Sequence, residues 1–255
     1  MKLRPLHGFQ VVAEIILIIC APPPLLAQKA NISIPFVGCA SSGQVRVLKA
    51  PKGTNRLLPI SAKDAQALAY YRSADGLGVL APRGWHCEGV SGSGGYALYV
   101  SPKPMNRRRL DWEGFDGPGI EVSHITSDAS GRYEIAEIMT RVFPAYRAFA
   151  RRTLELTDLP VPDGPYAHDA LTYFGEKIVE YVTPAQTEGL GTHFSWLRKN
   201  EVPVAGAAVV MEKPIEADDS PDMVLLSMRH PRDLARLTPV IVHFVEGETV
   251  SARRK

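Results

Sequence analysis

The chain has 255 residues, of which 45% are hydrophobic and 22% charged, and 29 basic residues nearly balance 27 acidic ones for a formal net charge of +2. Such a balance excludes wholesale disorder and any general charge-driven capture of nucleic acid or an anionic membrane. Glycine and proline number 21 each, so many turns and short elements are expected rather than a helical bundle.

Lys2 and Arg4 precede an apolar run over residues 11–20, and Leu25-Leu26-Ala27 follows three prolines. A positive head, an apolar middle and a small exit residue read as a secretory signal peptide over residues 1–27. The rival reading is an uncleaved anchor, but a spanning helix needs about 20 apolar residues and Glu14 interrupts this run. Lipidation of Cys20 is the lesser alternative, because Ile19 is large where such processing favours a small residue. Cleavage removes Lys2, Arg4 and Glu14, so the net charge falls from +2 to +1. It also removes Cys20, leaving Cys39 and Cys87, which in an oxidising compartment are expected to form a structural disulfide. The expected location is periplasmic or secreted, with no membrane span after cleavage.

Residues 32–36 and 45–48 have strand composition, with a small-residue connection over 38–43 and a turn at Pro51-Lys52-Gly53. Ser61 and Asp64 resemble a capping box, predicting a helix over 62–73 that Gly76 ends. Short strands are predicted at 79–81, 85–88 and 96–100, with a loop over 91–95, as two or three antiparallel strands. Residues 101–119 carry loop chemistry, where Arg107, Arg108 and Arg109 are balanced by Asp111, Glu113 and Asp116. After a strand at 120–124, Ile135, Ile138, Met139, Val142, Phe143, Tyr146 and Phe149 repeat at helical spacing, with Pro144 expected to kink or split that helix. Three prolines and a glycine within residues 159–165 mark a connection over 159–167 between an N-terminal half, 28–158, and a β-rich C-terminal half, 168–250. In the second half a hairpin is predicted at 171–174 and 177–182, strands at 204–211 and 223–228, and a last helix with Leu234, Leu237, Ile241 and Val245 inward. The expected fold is α+β: two short-stranded antiparallel sheet regions packed with a long kinked helix and a C-terminal helix.

No motif assigns a reaction. His86-Cys87 offers a base beside a thiol, but sequence neighbours point to opposite faces of a strand, and an oxidised Cys87 cannot attack. Ser91 and Ser93 lie in a glycine-rich loop that misses the G-x-S-x-G pattern and also lacks a phosphate-cradle ending. The seven histidines form no metal-binding spacing, and no cofactor is expected. The acidic stretch Glu216, Asp218, Asp219 and Asp222 lacks the spacing of a calcium loop and reads as a solvated turn. The catalytic candidates that remain are His124, His193 and Ser91, converging in space with carboxylates such as Asp128 or Glu188. The polar loop over 183–193, followed by aromatics, offers Thr187, Glu188, His193 and Trp196 as binding candidates, against a purely structural role.

The segments VGCASSGQ, GVLAPRGWHC, LYVSP, VEYVTPAQTEGLGTHFSWL and MVLLSMRHP resemble those of exported bacterial proteins known only as hypothetical. The resemblance implies secretion and one recurring architecture, and it brings no activity or ligand with it. The role expected from the residues is binding or interaction, with a small molecule or an envelope protein as partner. A hydrolase assembled from distant residues is the alternative, and a structural envelope component a third.

Overall fold

A computed structural model describes residues 31–43, 47–105, 114–128, 130–157, 160–211 and 221–252. The expected leader with Cys20, the run Arg107 to Arg109 with Asp111 and Glu113, Leu159 of the connection, and Glu216, Asp218 and Asp219 lie outside those residues.

Five short strands come first: β1 (Ile32–Ile34), β2 (Phe36–Cys39), β3 (Ser41–Gly43), β4 (Val47–Leu48) and β5 (Arg56–Leu58). The stretch read as a small-residue connection is thus mostly strand. Its small side chains permit close pairing, since a Cβ on Gly89 of the neighbouring strand would meet Ser41 Oγ at 2.2 Å. Helix α1 (Ala62–Ala67) starts at Ser61, whose hydroxyl oxygen accepts the Asp64 N–H at 3.1 Å. It ends sooner than expected, because Leu68 begins β6 (Leu68–Ser73). Strand β6 lies between β2 and β7 (Gly78–Pro82) in a three-stranded sheet. Burial of Leu68, Ala69, Tyr70 and Tyr71 there overrides the helical start.

Strands β8 (His86–Gly92), β9 (Gly95–Ser101) and β10 (Gly119–Ile125) follow, then helices α2 (Gly131–Val142) and α3 (Arg147–Glu155). Phe143 leaves helical geometry before Pro144, which opens a short 3-10 turn, so two helices stand where a single kinked one was considered. The second half contributes β11 (Ala170–Phe174), β12 (Ile178–Thr183), the short α4 (Leu190–His193), β13 (Val204–Met211), β14 (Asp222–Arg229) and α5 (Thr238–Ala252). Among the described residues no helix is long and apolar enough to cross a membrane.

The fold is α+β, but its main sheet is large rather than two short-stranded regions. Nine strands run in the order β11-β12-β13-β14-β10-β9-β8-β3-β4. The pairing of β10 with β14, from Gly119 opposite Arg229 to Ile125 opposite Met223, carries the sheet across the proline-rich connection. Local periodicity cannot reveal such a partner, because the two strands are about 100 residues apart in sequence and each buries both faces.

On one face Leu98, Val100, Ile120, Val122, Leu226 and Met228 pack against α5 and the three-stranded sheet. On the other, Ile125, Val179, Met223 and Leu225 pack against α2 and α3. Tyr181 is fully buried there, its hydroxyl donating to the Leu226 carbonyl at 2.7 Å. Gly206 lies opposite it for a steric reason: a Cβ would meet the Leu226 oxygen at 1.8 Å.

The Cys39–Cys87 disulfide ties β2 of the smaller sheet to β8 of the larger one across a sequence separation of 48. Closing a loop of that length is expected to contribute about 2 to 4 kcal/mol. Replacing both cysteines by serine should therefore lower the unfolding free energy by that amount, read as a lower urea midpoint; an unchanged midpoint would show that the bridge adds no stability.

Candidate functional site

Strand register builds the first polar cluster. Tyr96 on β9 lies opposite His124 on β10, which lies opposite Val224 on β14. Directly opposed residues share a face, and Asp222, two positions before Val224, shares it too. His124 Nε2 is 3.2 Å from Asp222 Oδ2, and Nδ1 meets the Tyr96 hydroxyl. The other Asp222 oxygen accepts the Ser127 N–H at 2.9 Å and the Ser127 hydroxyl at 3.0 Å. The carboxylate is thereby fixed independently of the imidazole. With side chains only 16% and 14% exposed, His124 and Asp222 are largely shielded from water.

An ionised carboxylate on Nε2 holds the ring proton there, which leaves Nδ1 to accept from the Tyr96 O–H. Burial first, then the negative charges of Asp222 and Asp75, raise the Tyr96 phenol above its ordinary value of 10. The hydroxyl therefore stays protonated at neutral pH. Asp75 Oδ2 is itself buried with no hydrogen-bond partner among the described residues. This row opens on a cavity of about 290 Å³ whose walls include Tyr70, Leu77, Tyr96, His124, Met211 and Glu248. Arg56 pairs with Glu248 and stacks 4.8 Å from the centre of the Tyr70 ring, so its charge is already engaged.

Ser91 lies opposite Tyr96 on β8 and so belongs to the same row. It is two strands away from His124, a backbone separation of about 10 Å, with the phenol between them. The imidazole does not reach that serine to activate it.

His193 lies on the opposite side of the sheet, so the two candidate histidines do not converge. Its Nδ1 is 3.3 Å from Glu188 and its Nε2 is 3.6 Å from Glu137 of α2. Lys199 Nζ holds the second Glu188 oxygen at 3.0 Å. The hydrogen bonds from Lys199 and His193 keep the Glu188 carboxyl below its ordinary range. Thr187 donates its hydroxyl to the Pro184 carbonyl at 2.8 Å, closing a turn. Asp169 accepts from the Thr183 hydroxyl at 2.8 Å and the Leu190 N–H at 2.7 Å. Glu188 and His193 thus bond to groups outside the loop while their side chains stay 52% and 39% exposed. Trp196 gives its backbone N–H to buried Glu121 Oε2 at 2.7 Å, while its side chain packs against a small core around Tyr99, Phe115 and Leu197.

Tyr96 and Asp75 were invisible as site residues in the sequence, and Asp222 read as part of an acidic turn. Alternation placed Tyr96 on a strand face, but the signal that joins it to His124 and Asp222 is cross-strand register. Comparison with protein-family models, with curated proteins and with solved structures found no match.

Glu121 is a buried carboxyl on the face of the sheet away from the cavity. Burial pushes its carboxyl up to about 8, against the lowering effect of the Trp196 N–H and the Ser123 hydroxyl. Buried His230 is displaced the opposite way, down to about 4, by loss of hydration. For Glu121 the folded state holds the proton more tightly than the unfolded chain, so its contribution is full below about pH 4.5 and is lost as pH rises through about 8. For His230 the contribution is present above about pH 6.5 and is lost as pH falls toward 4. The two oppose each other in the acid range, and Glu121 acts alone above it. Denaturation midpoints of the wild type should fall between about pH 6.5 and pH 8, whereas Glu121→Gln, which keeps an acceptor for Trp196, should flatten that fall. Parallel pH profiles for the two proteins would contradict the assignment.

Proposed function

We propose that this chain is an exported protein that binds a small, hydrogen-bond-donating molecule in the cavity beside Tyr96, His124 and Asp222. The observation that carries the reading is the double engagement of His124, with Asp222 on Nε2 and Tyr96 on Nδ1. With both nitrogens used, the imidazole orients a phenol instead of serving as a free base. The oxygen of Tyr96 and the carboxylate of Glu248 place acceptors on the cavity wall, which favours a hydroxyl- or amine-bearing ligand. Export is supported by the leader-like start, the resemblance to exported bacterial proteins and the disulfide.

One observation favours the hydrolase reading: carboxylate, imidazole and hydroxyl stand in the order of a catalytic triad. The hydroxyl weakens it, since a nucleophile needs a lowered pKa and this phenol is held up by burial and two negative neighbours. A thermal-shift screen of small polyols, sugars and amines, followed by calorimetry on the best binder, tests the binding reading. Tyr96→Phe should weaken that binder about tenfold while leaving the unliganded melting temperature within a few degrees. Tyr96-dependent turnover of an activated ester such as 4-nitrophenyl acetate, with no binder found, would instead support the hydrolase.

The export half of the reading stands on a separate measurement. Periplasmic fractionation with intact-mass analysis should recover a chain beginning at Gln28 with two hydrogens lost to the disulfide. Full-length chain in the cytosol with both thiols reduced would remove it.

A further inference from the structure

A second cluster lies outside the cavity. Glu180 on β12 faces α5, which brings His243 and Glu246 toward it from one side of the helix, three positions apart. One donor atom from each of the three side chains lies within 4.8 Å of the other two. His243 Nε2 is 3.7 Å from Glu180 Oε1. Two ligands held about 2.1 Å from a tetrahedral ion stand about 3.4 Å apart, so small side-chain rotations close the remaining gap.

A second feature distinguishes this group from an ordinary exposed acidic pair. Glu246 Oε1 is buried and has no hydrogen-bond partner among the described residues. An unmatched buried carboxylate oxygen is costly, and nothing described supplies a lysine or arginine to it. We propose that Glu180, His243 and Glu246 form a divalent transition-metal site, with zinc the best fit to one imidazole and two carboxylates. Three protein ligands leave a fourth position for water or for a ligand of the ion. The electrostatics agree in direction: burial and Glu180 raise the Glu246 carboxyl, and His243 opposes them. A dication held between them would remove the repulsion between the two carboxylates.

The ligands belong to the strand and helix that a metal would clip together. Zinc at this site should therefore stabilise the fold as well as bind. His243 is the residue to change, because its side chain is 66% exposed and its loss leaves no core cavity. Untagged, oxidised protein stripped with EDTA is titrated with zinc sulfate by calorimetry, and melting temperatures are recorded with and without the metal. The wild type should bind one zinc per chain and melt several degrees higher with it. His243→Asn and Glu246→Gln should bind about tenfold or more weakly, and His243→Asn should match the wild type's melting temperature in EDTA. Cobalt substitution should give the intense visible absorption of a four-coordinate ion in the wild type and lose it in His243→Asn. Binding that is unchanged in His243→Asn, or absent from the wild type, would overturn the proposal.

Discussion

The antiparallel pairing of β10 with β14 is the constraint on which the remaining structure depends. Seven residue pairs, Gly119–Arg229 through Ile125–Met223, join segments that the chain separates by helices α2, α3 and α4 and a proline-rich connection. Because side chains alternate along a strand, fixing this register fixes both faces at once. Val122 and Leu226 go to the face under α5, while Glu121 and Ser227 go to the face under α2. A slip of one residue would exchange these sets, burying Asp222 and His124 where Ile125 and Met223 now pack. The same register that makes the core therefore brings His124 and Asp222 within 3.2 Å.

Polar groups on the second face show how that register is defended. Arg229, at the end of β14, is 1% exposed, so its guanidinium is taken out of water. Its hydrogen bonds go to carbonyls instead: Val202 at 3.2 Å, Phe115 and Gly117 at 3.4 Å each, and Arg198. Loss of hydration pulls its pKa down, with Asp116 acting against that shift. A buried guanidinium satisfied by several backbone oxygens holds two irregular segments, around residues 115–117 and 198–202, against the end of the sheet. Glu121 does the same one strand away by accepting the Trp196 N–H. Each of these groups is costly if its partners move, so the loops are pinned by the polar core they help to satisfy.

Much of the local structure was legible from the sequence, and for identifiable reasons. Strands β13 and β14 are long apolar runs, the hairpin of β11 and β12 turns at a glycine with φ of 70°, and Ser61 caps a helix in the expected way. Legibility failed where tertiary contact overrides local preference. Leu68-Ala69-Tyr70-Tyr71 continued a helical pattern until β2 and β7 claimed it as a strand. The site was half legible. His124 was visible as a candidate, but its partners depend on register between strands that no local rule pairs. Glu180 and Glu246 carried no signal at all, because a strand glutamate and a helical one become neighbours only after β12 has been placed under α5.

Helix α5 shows how closely the two polar sites depend on packing. It is built from Val240, Ile241, Val242, Val245, Thr249 and Val250 with Gly247 among them, residues whose stiff side chains or backbone freedom disfavour an isolated helix. The Thr249 hydroxyl even turns back to the Val245 carbonyl at 2.7 Å. Such a segment is helical because Ile241, Val242 and Val245 are buried against the sheet, not through intrinsic preference. Val245, Glu248 and Thr249 of this helix also line the cavity beside His124, while His243 and Glu246 face Glu180. One face-packed helix therefore forms a wall of both sites. An interaction that fixes α5 on β12 therefore acts on the same element that shapes the cavity.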